Sequence, residues 1–459
     1  MLPSSIFYLP SKNMSPIQLI NPLDLPNWDE LISSHPTANP FHSSGWARVL
    51  RDTYGFTPYY ACVFKGDTLS ACLPLMEVDS FLTGKRGVSL PFSDFCDPLL
   101  NGTVSSRQLT DFAIALGRDR HWKYLELRGG DYAIIQGNST NSRTSPGLVK
   151  GKMEATARHS MEREDGSNSL ASPQGDGRWE MEDGRKGTDN PNIPIFQYSI
   201  LPQSGSSNIP PFHHSQDSLD MEPDALRSAL SAQRSATPAL RSYSHHILDL
   251  SPGVETLFRN LRESTRRNIR KAEKEGVTVR FSSDLEAVQA YFRLHCLTRK
   301  RHGVPPQPWV FFVNIHKHLI SGDKGFVALA ETQGKEIAGA VYLTFGKSAL
   351  YKFGASDLSF QHLRANNSAM WAAIRRLDGS GFRTLSFGRT EPENQGLIQF
   401  KSGWGAVEES LSYYRYDFDA RDFISGNGKG PSGYEKVFQR LPEPALRLMG
   451  KVLYRHFGS

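Results

Sequence analysis

Between Gly137 and Leu240, about a third of the residues are Ser, Gly or Pro, in runs such as SRTSPGLVKGK, REDGSNSLASPQGDGR and PQSGSSNIPPFHHSQDS. The stretch follows neither the period of a strand nor that of a helix. Its large apolar residues are too sparse to offset the entropy of ordering. A structureless loop of this length does not fit inside a compact domain, so it separates folded parts rather than decorating one. The sequence therefore predicts a disordered insertion over 137–240. Only the short apolar stretch Ile193–Leu201 has the character to dock elsewhere.

The flanks repeat one plan. Before the insertion, YYACVF (Tyr59–Phe64), a turn at Lys65-Gly66-Asp67 and LSACLPLMEV (Leu69–Val78) read as a hairpin. After it, FVALAE (Phe326–Glu331), a turn at Thr332-Gln333-Gly334 and IAGAVYLTF (Ile337–Phe345) do the same, and ALYKFGAS (Ala349–Ser356) adds a strand. Each half then has a helical stretch, Ser106–Arg118 and Asn367–Asp378, leading into a strand, HWKYLELRGG and GFRTLSFGRT. The order predicts a duplicated α+β unit. The expected boundaries are a first domain over 1–136, the insertion over 137–240, a second domain over 241–420, and a linker with a basic amphipathic helix over 421–459.

Composition excludes several classes. The 459 residues suffice for two or three domains, and 38% hydrophobic content excludes a wholly disordered chain. No run approaches the roughly 18 apolar residues of a membrane span. The start MLPSSIFYLPSKN lacks the pattern of a secretory signal. Cys62, Cys72, Cys96 and Cys296 are scattered without CxxC spacing, which predicts a reducing, cytoplasmic setting and no disulfide framework. His316 and His318 would point apart on a helix, so no metal is expected. A net charge of +6 permits a polyanionic partner without requiring one.

The second unit opens with YSHHILDLSPGVETLFRNLRESTRRNIRKAEKEGV. Ile247, Leu248 and Leu250 predict a strand. Ser251 as N-cap and Pro252 at the first position predict one long helix, ended by Gly276. Its outer face carries Arg259, Arg262, Arg266, Arg267, Arg270, Lys271 and Lys274, a pattern able to meet phosphates or a tRNA backbone. Glu255, Glu263, Glu273 and Glu275 interrupt it, which suits an ordinary solvated face.

Four stretches carry a family resemblance: NPFHSSGWARVL (Asn39–Leu50), LRESTRRNIRKAEKEGV (Leu261–Val277), TRKRHGVPPQPWVFF (Thr298–Phe312) and LSFGRTEPENQGLIQFKSGWGA (Leu385–Ala406). The chain resembles the FemAB-like branch of the GNAT acyltransferase superfamily, in particular FemAB-related proteins associated with bacterial exopolysaccharide and protein-sorting systems. The likeness covers roughly residues 35–130 and 243–420. It implies two tandem GNAT-like domains with mixed, largely antiparallel sheets flanked by helices. It also implies transfer of an acyl or aminoacyl group onto an amine of a cell-envelope or exopolysaccharide precursor.

Residue roles follow from the resemblance. Lys401, in the Phe400-Lys401 pair before Trp404-Gly405, matches the lysine placed near the acyl carbonyl, where an ammonium offsets developing oxyanion charge. Gly388 permits close backbone approach, and Arg389 offers a fixed fork for an anion. Arg48, two positions after Trp46, matches a cation that contacts the acceptor's phosphate. Gln307 and Phe311 stand where cell-wall aminoacyltransferases carry a basic residue and a Tyr for the acceptor diphosphate, a departure that puts a nucleotide-linked muropeptide acceptor in doubt. Tyr351 is a further acceptor contact or a buried strand residue. The alternative for the signature as a whole is a structural strand and turn with Arg389 in an ion pair.

The donor is expected to be aminoacyl-tRNA or acyl-CoA, with no tightly bound cofactor. The loop SFQHLRANNSAMW (Ser359–Trp371), which would cradle a CoA pyrophosphate, has no glycine and so disfavours acetyl-CoA there. An acyl-CoA-dependent N-acetyltransferase and a non-catalytic assembly protein remain the rival readings. The acceptor would be a small molecule or lipid-linked glycan. The tail LPEPALRLMGKVLYRHFG either rests on anionic lipid, giving a peripheral membrane location, or docks on its own domain.

Overall fold

The computed structural model describes residues 16–102, 104–130, 239–426 and 434–457. Apart from Ala239 and Leu240, the expected insertion, with Ile193–Leu201 inside it, lies outside the described residues.

The first half runs β1 (Gln18–Ile20), α1 (Trp28–Ser33), α2 (Ser44–Tyr54), β2 (Thr57–Pro58), β3 (Tyr60–Lys65), β4 (Thr68–Leu73), β5 (Met76–Val78), β6 (Arg86–Val88), β7 (Leu99–Leu100), α3 (Ser106–Asp119) and β8 (Tyr124–Arg128). The second runs β9 (Arg241–Asp249), α4 (Val254–Asn260), α5 (Glu263–Lys274), β10 (Thr278–Ser282), α6 (Leu285–Arg301), α7 (Trp309–His318), β11 (Gly325–Thr332), β12 (Lys335–Phe345), β13 (Ser348–Ser356), α8 (Ala365–Gly379), β14 (Thr384–Thr390), α9 (Gln395–Ser402), β15 (Val407–Asp417) and β16 (Asp422–Phe423). Two helices close the chain, α10 (Glu435–Arg440) and α11 (Glu443–Phe457).

This is the expected α+β class, with mixed sheets flanked by helices. The hairpin β3–β4 turns at Gly66, whose φ of +60° only glycine adopts freely. It belongs to a four-stranded sheet ordered β1-β3-β4-β7. The other strands form one twelve-stranded sheet ordered β10-β11-β12-β13-β14-β9-β15-β8-β6-β5-β2, with β16 on β15. Each half contributes one parallel pair to it, β6 with β8 and β13 with β14, and in each a helix precedes the second strand. The duplication read from the sequence is thus visible in the pairing.

The two halves share this sheet. β15 pairs with β9 on one side and with β8 of the first half on the other, with Tyr413 opposite Arg241 and Arg128. The largest apolar core also spans both, joining Trp28, Phe41 and Trp46 to Tyr291, Phe312 and Val341.

The single long helix expected over the basic stretch is corrected to two. Gly253, with φ +77°, precedes α4, so Ser251 and Pro252 do not cap it. Leu261 is extended and buried, and the Arg262 N–H donates to the Gly403 carbonyl at 3.1 Å. A tertiary hydrogen bond to the signature loop therefore breaks the helix where no local residue would.

The C-terminal tail docks on its own chain. Leu446 and Tyr454 of α11 are buried. Tyr454 donates to the Pro305 carbonyl at 2.9 Å and accepts from Arg299 at 2.7 Å. Gly450 passes so close to loop 305–306 that a Cβ would lie 2.0 Å from the Pro306 oxygen. All four cysteines are free and buried. Among the described residues no helix is long and apolar enough to cross a membrane, and no cluster of potential ligands could hold a metal.

Candidate active site

Strands β13 and β14 run parallel for only three paired positions, Ser348–Leu350 against Thr384–Ser386, and then diverge. β14 turns instead to β9, with a register break between Ser386 and Arg389. Gly388 sits in that break at φ +66°. The bulge turns the carbonyls of Gly388 and Arg389 toward α9, where the Lys401 ammonium donates to them at 2.8 and 3.1 Å. Lys401 is 2% exposed. Burial pushes its pKa down to about 7, helped by Arg389 and opposed by Asp94.

Asp94 comes from the first half, on loop 89–97. Leu90 and Phe92 there hold left-handed backbone, φ +57° and +58°, a strained conformation for non-glycine residues that needs support. Support is plentiful: Arg128 donates to the carbonyls of Leu90 and Ser93, and its own N–H goes to Ser89 Oγ. Tyr413 donates to the Asp94 carbonyl at 2.6 Å, and Lys352 to the Phe92 carbonyl at 2.7 Å. The Lys352 ammonium lies 3.5 Å from Asp94 Oδ2, and both residues are 1% exposed. Burial lowers Lys352 to about 8, with Asp94 opposing. The guanidinium of Arg389 lies over the rings of Tyr243 and Tyr413, at 4.6 and 5.1 Å. Burial works against its charge, but those phenols, Glu391 and Asp94 more than offset it. Among the described residues, two buried lysines and the half-buried Arg389 thus gather about the buried Asp94 carboxylate, with Glu391 also acting on Arg389, where two strands part and the halves meet.

Beneath the bulge, His245 Nε2 meets Ser386 Oγ at 2.8 Å, and the same oxygen accepts the Gly388 N–H at 3.1 Å. Burial, then the Lys401 charge, lowers His245 to about 4, so it is neutral near pH 7. Asp97, further along loop 89–97, is pushed by burial up to about 6.

Of the other residues singled out in the sequence, Trp46 touches the cluster, its ring 5.4 Å from the Lys352 ammonium, and the rest lie elsewhere. Phe400 is half-buried and meets the ring of buried Trp404 at 5.8 Å. Trp404 Nε1 finds no acceptor among the described residues. Trp46 and Phe311 are fully buried core residues, their rings 6.0 Å apart. Gln307 is buried and pairs with His295 Nε2 at 2.8 Å. Tyr351 is buried between the rings of Tyr342 and Phe387. Arg48 is half-buried on α2, its charge reaching His318 on α7, whose pKa burial chiefly lowers.

Sequence reasoning passed over Asp94 and Lys352. A lone lysine between Tyr351 and Phe353 in an otherwise apolar strand was the available signal for the second. An acid inside SLPFSDFCDP was the signal for the first.

The loop expected to exclude a CoA pyrophosphate is a 3-10 turn, Leu358–Leu363, followed by Arg364 in left-handed conformation. The cavity there, lined by Ile337, Ser356, Asp357, Phe360 and Arg364, holds about 30 Å³.

Residues 259–402 match the family model described as an acetyltransferase (GNAT) domain. Among solved structures, the chain is similar to FemX (14% identity, 87% of this chain and 97% of that one, TM-score 0.52). It is also similar to a tandem GNAT protein from the clavulanic acid biosynthesis pathway (12%, 85% and 94%, 0.40). A third is a conserved protein of unknown function from Bacteroides thetaiotaomicron (9%, 88% and 99%, 0.45). No curated protein matches the chain in sequence. Residues 259–402 thus match a GNAT acetyltransferase domain, and over most of its length the chain has the fold of FemX.

Proposed function

We propose that the chain transfers an activated acyl or aminoacyl group to an amine of a cell-envelope or exopolysaccharide precursor, with Lys401 at the centre. The observation that carries this reading is the gathering of the buried Lys401 and Lys352 ammoniums and the half-buried Arg389 guanidinium about Asp94, with Lys401 desolvated beside the Gly388 bulge. Buried cations are costly, and a bound or developing anion offsets that cost.

The amine nitrogen attacks the acyl carbon, forming a C–N bond and moving the carbonyl pair onto oxygen. Collapse breaks the C–O or C–S bond, and the amine's proton ends on the departing oxygen or sulfur. Lys401 stabilises the oxyanion and Arg389 positions donor or acceptor. Two of the three Lys401 N–H groups go to the Gly388 and Arg389 carbonyls, which fixes the direction of the third. Lys352 and Asp94 act as positioning residues that hold loop 89–97 against this point.

The glycine-free turn Leu358–Leu363 supports a donor other than acetyl-CoA in the usual loop. Arg48, Trp46, Gln307, Phe311 and Tyr351 then shape the acceptor side from within the core or its edge. In this reading the protein works in the cytoplasm.

The test is to incubate purified protein with acyl-CoA and aminoacyl-tRNA donors against amine-bearing nucleotide-linked and lipid-linked sugars, reading N-acylated product by mass spectrometry. Product that depends on Lys401 is expected. Turnover that survives Lys401→Met would overturn the assignment.

A further inference from the structure

The tip of the β5–β6 turn carries Phe81 and Leu82, 85% and 54% exposed. It is bound to the end of α11. Thr83 Oγ1 and Arg86 donate to the His456 carbonyl at 2.8 and 2.6 Å. Ser80 Oγ meets His456 Nδ1 at 3.1 Å, and the Phe81 ring lies edge-on to the His456 ring at 4.6 Å. The apolar tip is therefore anchored beside the helix.

The face of α11 opposite Leu446, Gly450 and Tyr454 carries Leu448, 64% exposed, and Val452, 49% exposed, one turn apart and one turn before His456. Exposed Lys451 and Arg455 sit between and beyond them on that face, with Arg447 at its margin and Lys85 at the base of the tip. Three acids are near: Glu443, 3.8 Å from Arg447, and Asp79 and Glu77, 3.7 and 3.9 Å from Lys85. Four cations against these three carboxylates, of which Glu77 is already paired with Arg120 at 2.8 Å, leave the region positive.

We infer that this surface rests on an anionic lipid bilayer, with the Phe81–Leu82 tip and the Leu448–Val452 stripe entering the headgroup boundary. Apolar side chains alternate here with long cations. That alternation suits a bilayer, because lysine and arginine stems lie along the apolar layer while their heads reach lipid phosphates. A phenylalanine on an anchored turn inserts with little further loss of entropy. The inference does not depend on the identity of donor or acceptor, and it uses the face of α11 that docking leaves open.

The test is sedimentation of the full chain with phosphatidylcholine vesicles, alone and with phosphatidylglycerol added. Binding is expected only to the anionic vesicles and should weaken with salt. Phe81→Ser with Leu82→Ser, and separately Lys451→Glu with Arg455→Glu, should each lower it roughly tenfold or more. All four residues are exposed, so melting should be unchanged. Absence of binding to anionic vesicles, or binding indifferent to both double variants, would overturn the inference. So would a concentration-dependent dimer abolished by the same variants, which assigns the face to a second copy.

Discussion

Lys401 is held where a lysine loses its charge most easily. Its folded pKa of about 7 lies well below the ordinary 10.5. The unfolded chain therefore binds more protons between those values, and stability rises with pH across that window. Activity that needs the ammonium runs the other way, present below about 7 and lost as pH rises through it. Lys352, at about 8, extends the same limb. We expect the pH profile of kcat/KM to fall on its alkaline side while thermal stability rises, a divergence that paired rate and melting measurements would detect. Lys401→Met should cost roughly 100–1000-fold in kcat with the fold retained, and Lys401→Arg should rescue poorly, since a planar fork does not superimpose on a point charge. The sequence announced Gly388, Arg389 and Lys401 because one motif contains them. It did not announce Asp94 and Lys352, because their meaning lies in a meeting of segments far apart in the chain. Asp94 is an unremarked acid until Tyr413 and Lys352 are seen to close on it.

At the scale of elements, the alternating and helical patterns gave the second hairpin, the helices before β8 and β14, and the C-terminal helix. Of the first hairpin they gave β3 and β4 but ran β4 on to Val78, whereas the strand ends at Leu73 and Met76–Val78 joins the other sheet as β5. They did not give the break between α4 and α5, because Leu261 and Arg262 are ordinary helix formers overruled by a distant carbonyl. Docking of α11 is equally tertiary, and it turns on Gly450. The obstacle is the Pro306 backbone oxygen rather than a flexible side chain, so a larger residue must push the helix away. Gly450→Leu should cost about 1–3 kcal/mol in urea unfolding and make α11 sensitive to protease. Unchanged stability and protection would mean that the helix adjusts freely.

Across the whole molecule, one buried ion network ties the halves. Glu126 of β8 bonds Arg128 and reaches Arg415 of β15, both at 2.8 Å. Burial would raise the Glu126 pKa, but Arg128 and Arg415 outweigh it and hold it down at about 2. Stability from this carboxylate is complete above about 4.5 and lost as pH falls toward about 2. Glu126→Gln should destabilise by roughly 1–3 kcal/mol in denaturant unfolding, because it removes the carboxylate from buried Arg128 and half-buried Arg415. It should also loosen loop 89–97, which Arg128 supports. The continuity of the sheet between β8 and the second half was not legible in the sequence, since edge pairing leaves no local pattern. Arg128 and Arg241 flank Tyr413 on either side, two strand spacings or about 10 Å apart. Replacing 131–238 by about five residues should therefore leave cooperative melting intact, and its loss would refute the idea that this stretch is dispensable for folding.

The same pairing sets a timetable for synthesis. Arg128 meets its partner Tyr413 only after another 285 residues have been made. At about 5–20 residues per second, β8 waits roughly 15–60 s with one edge open. Over that interval Glu126 lacks Arg415, and loop 89–97 lacks both Tyr413 and Lys352. On the ribosome, the first half is thus a sheet with an exposed edge, closed by one of the last strands to emerge. Ribosome-bound chains stalled before residue 407 should be cleaved in loop 89–97 by protease, and chains stalled well beyond residue 417 should resist.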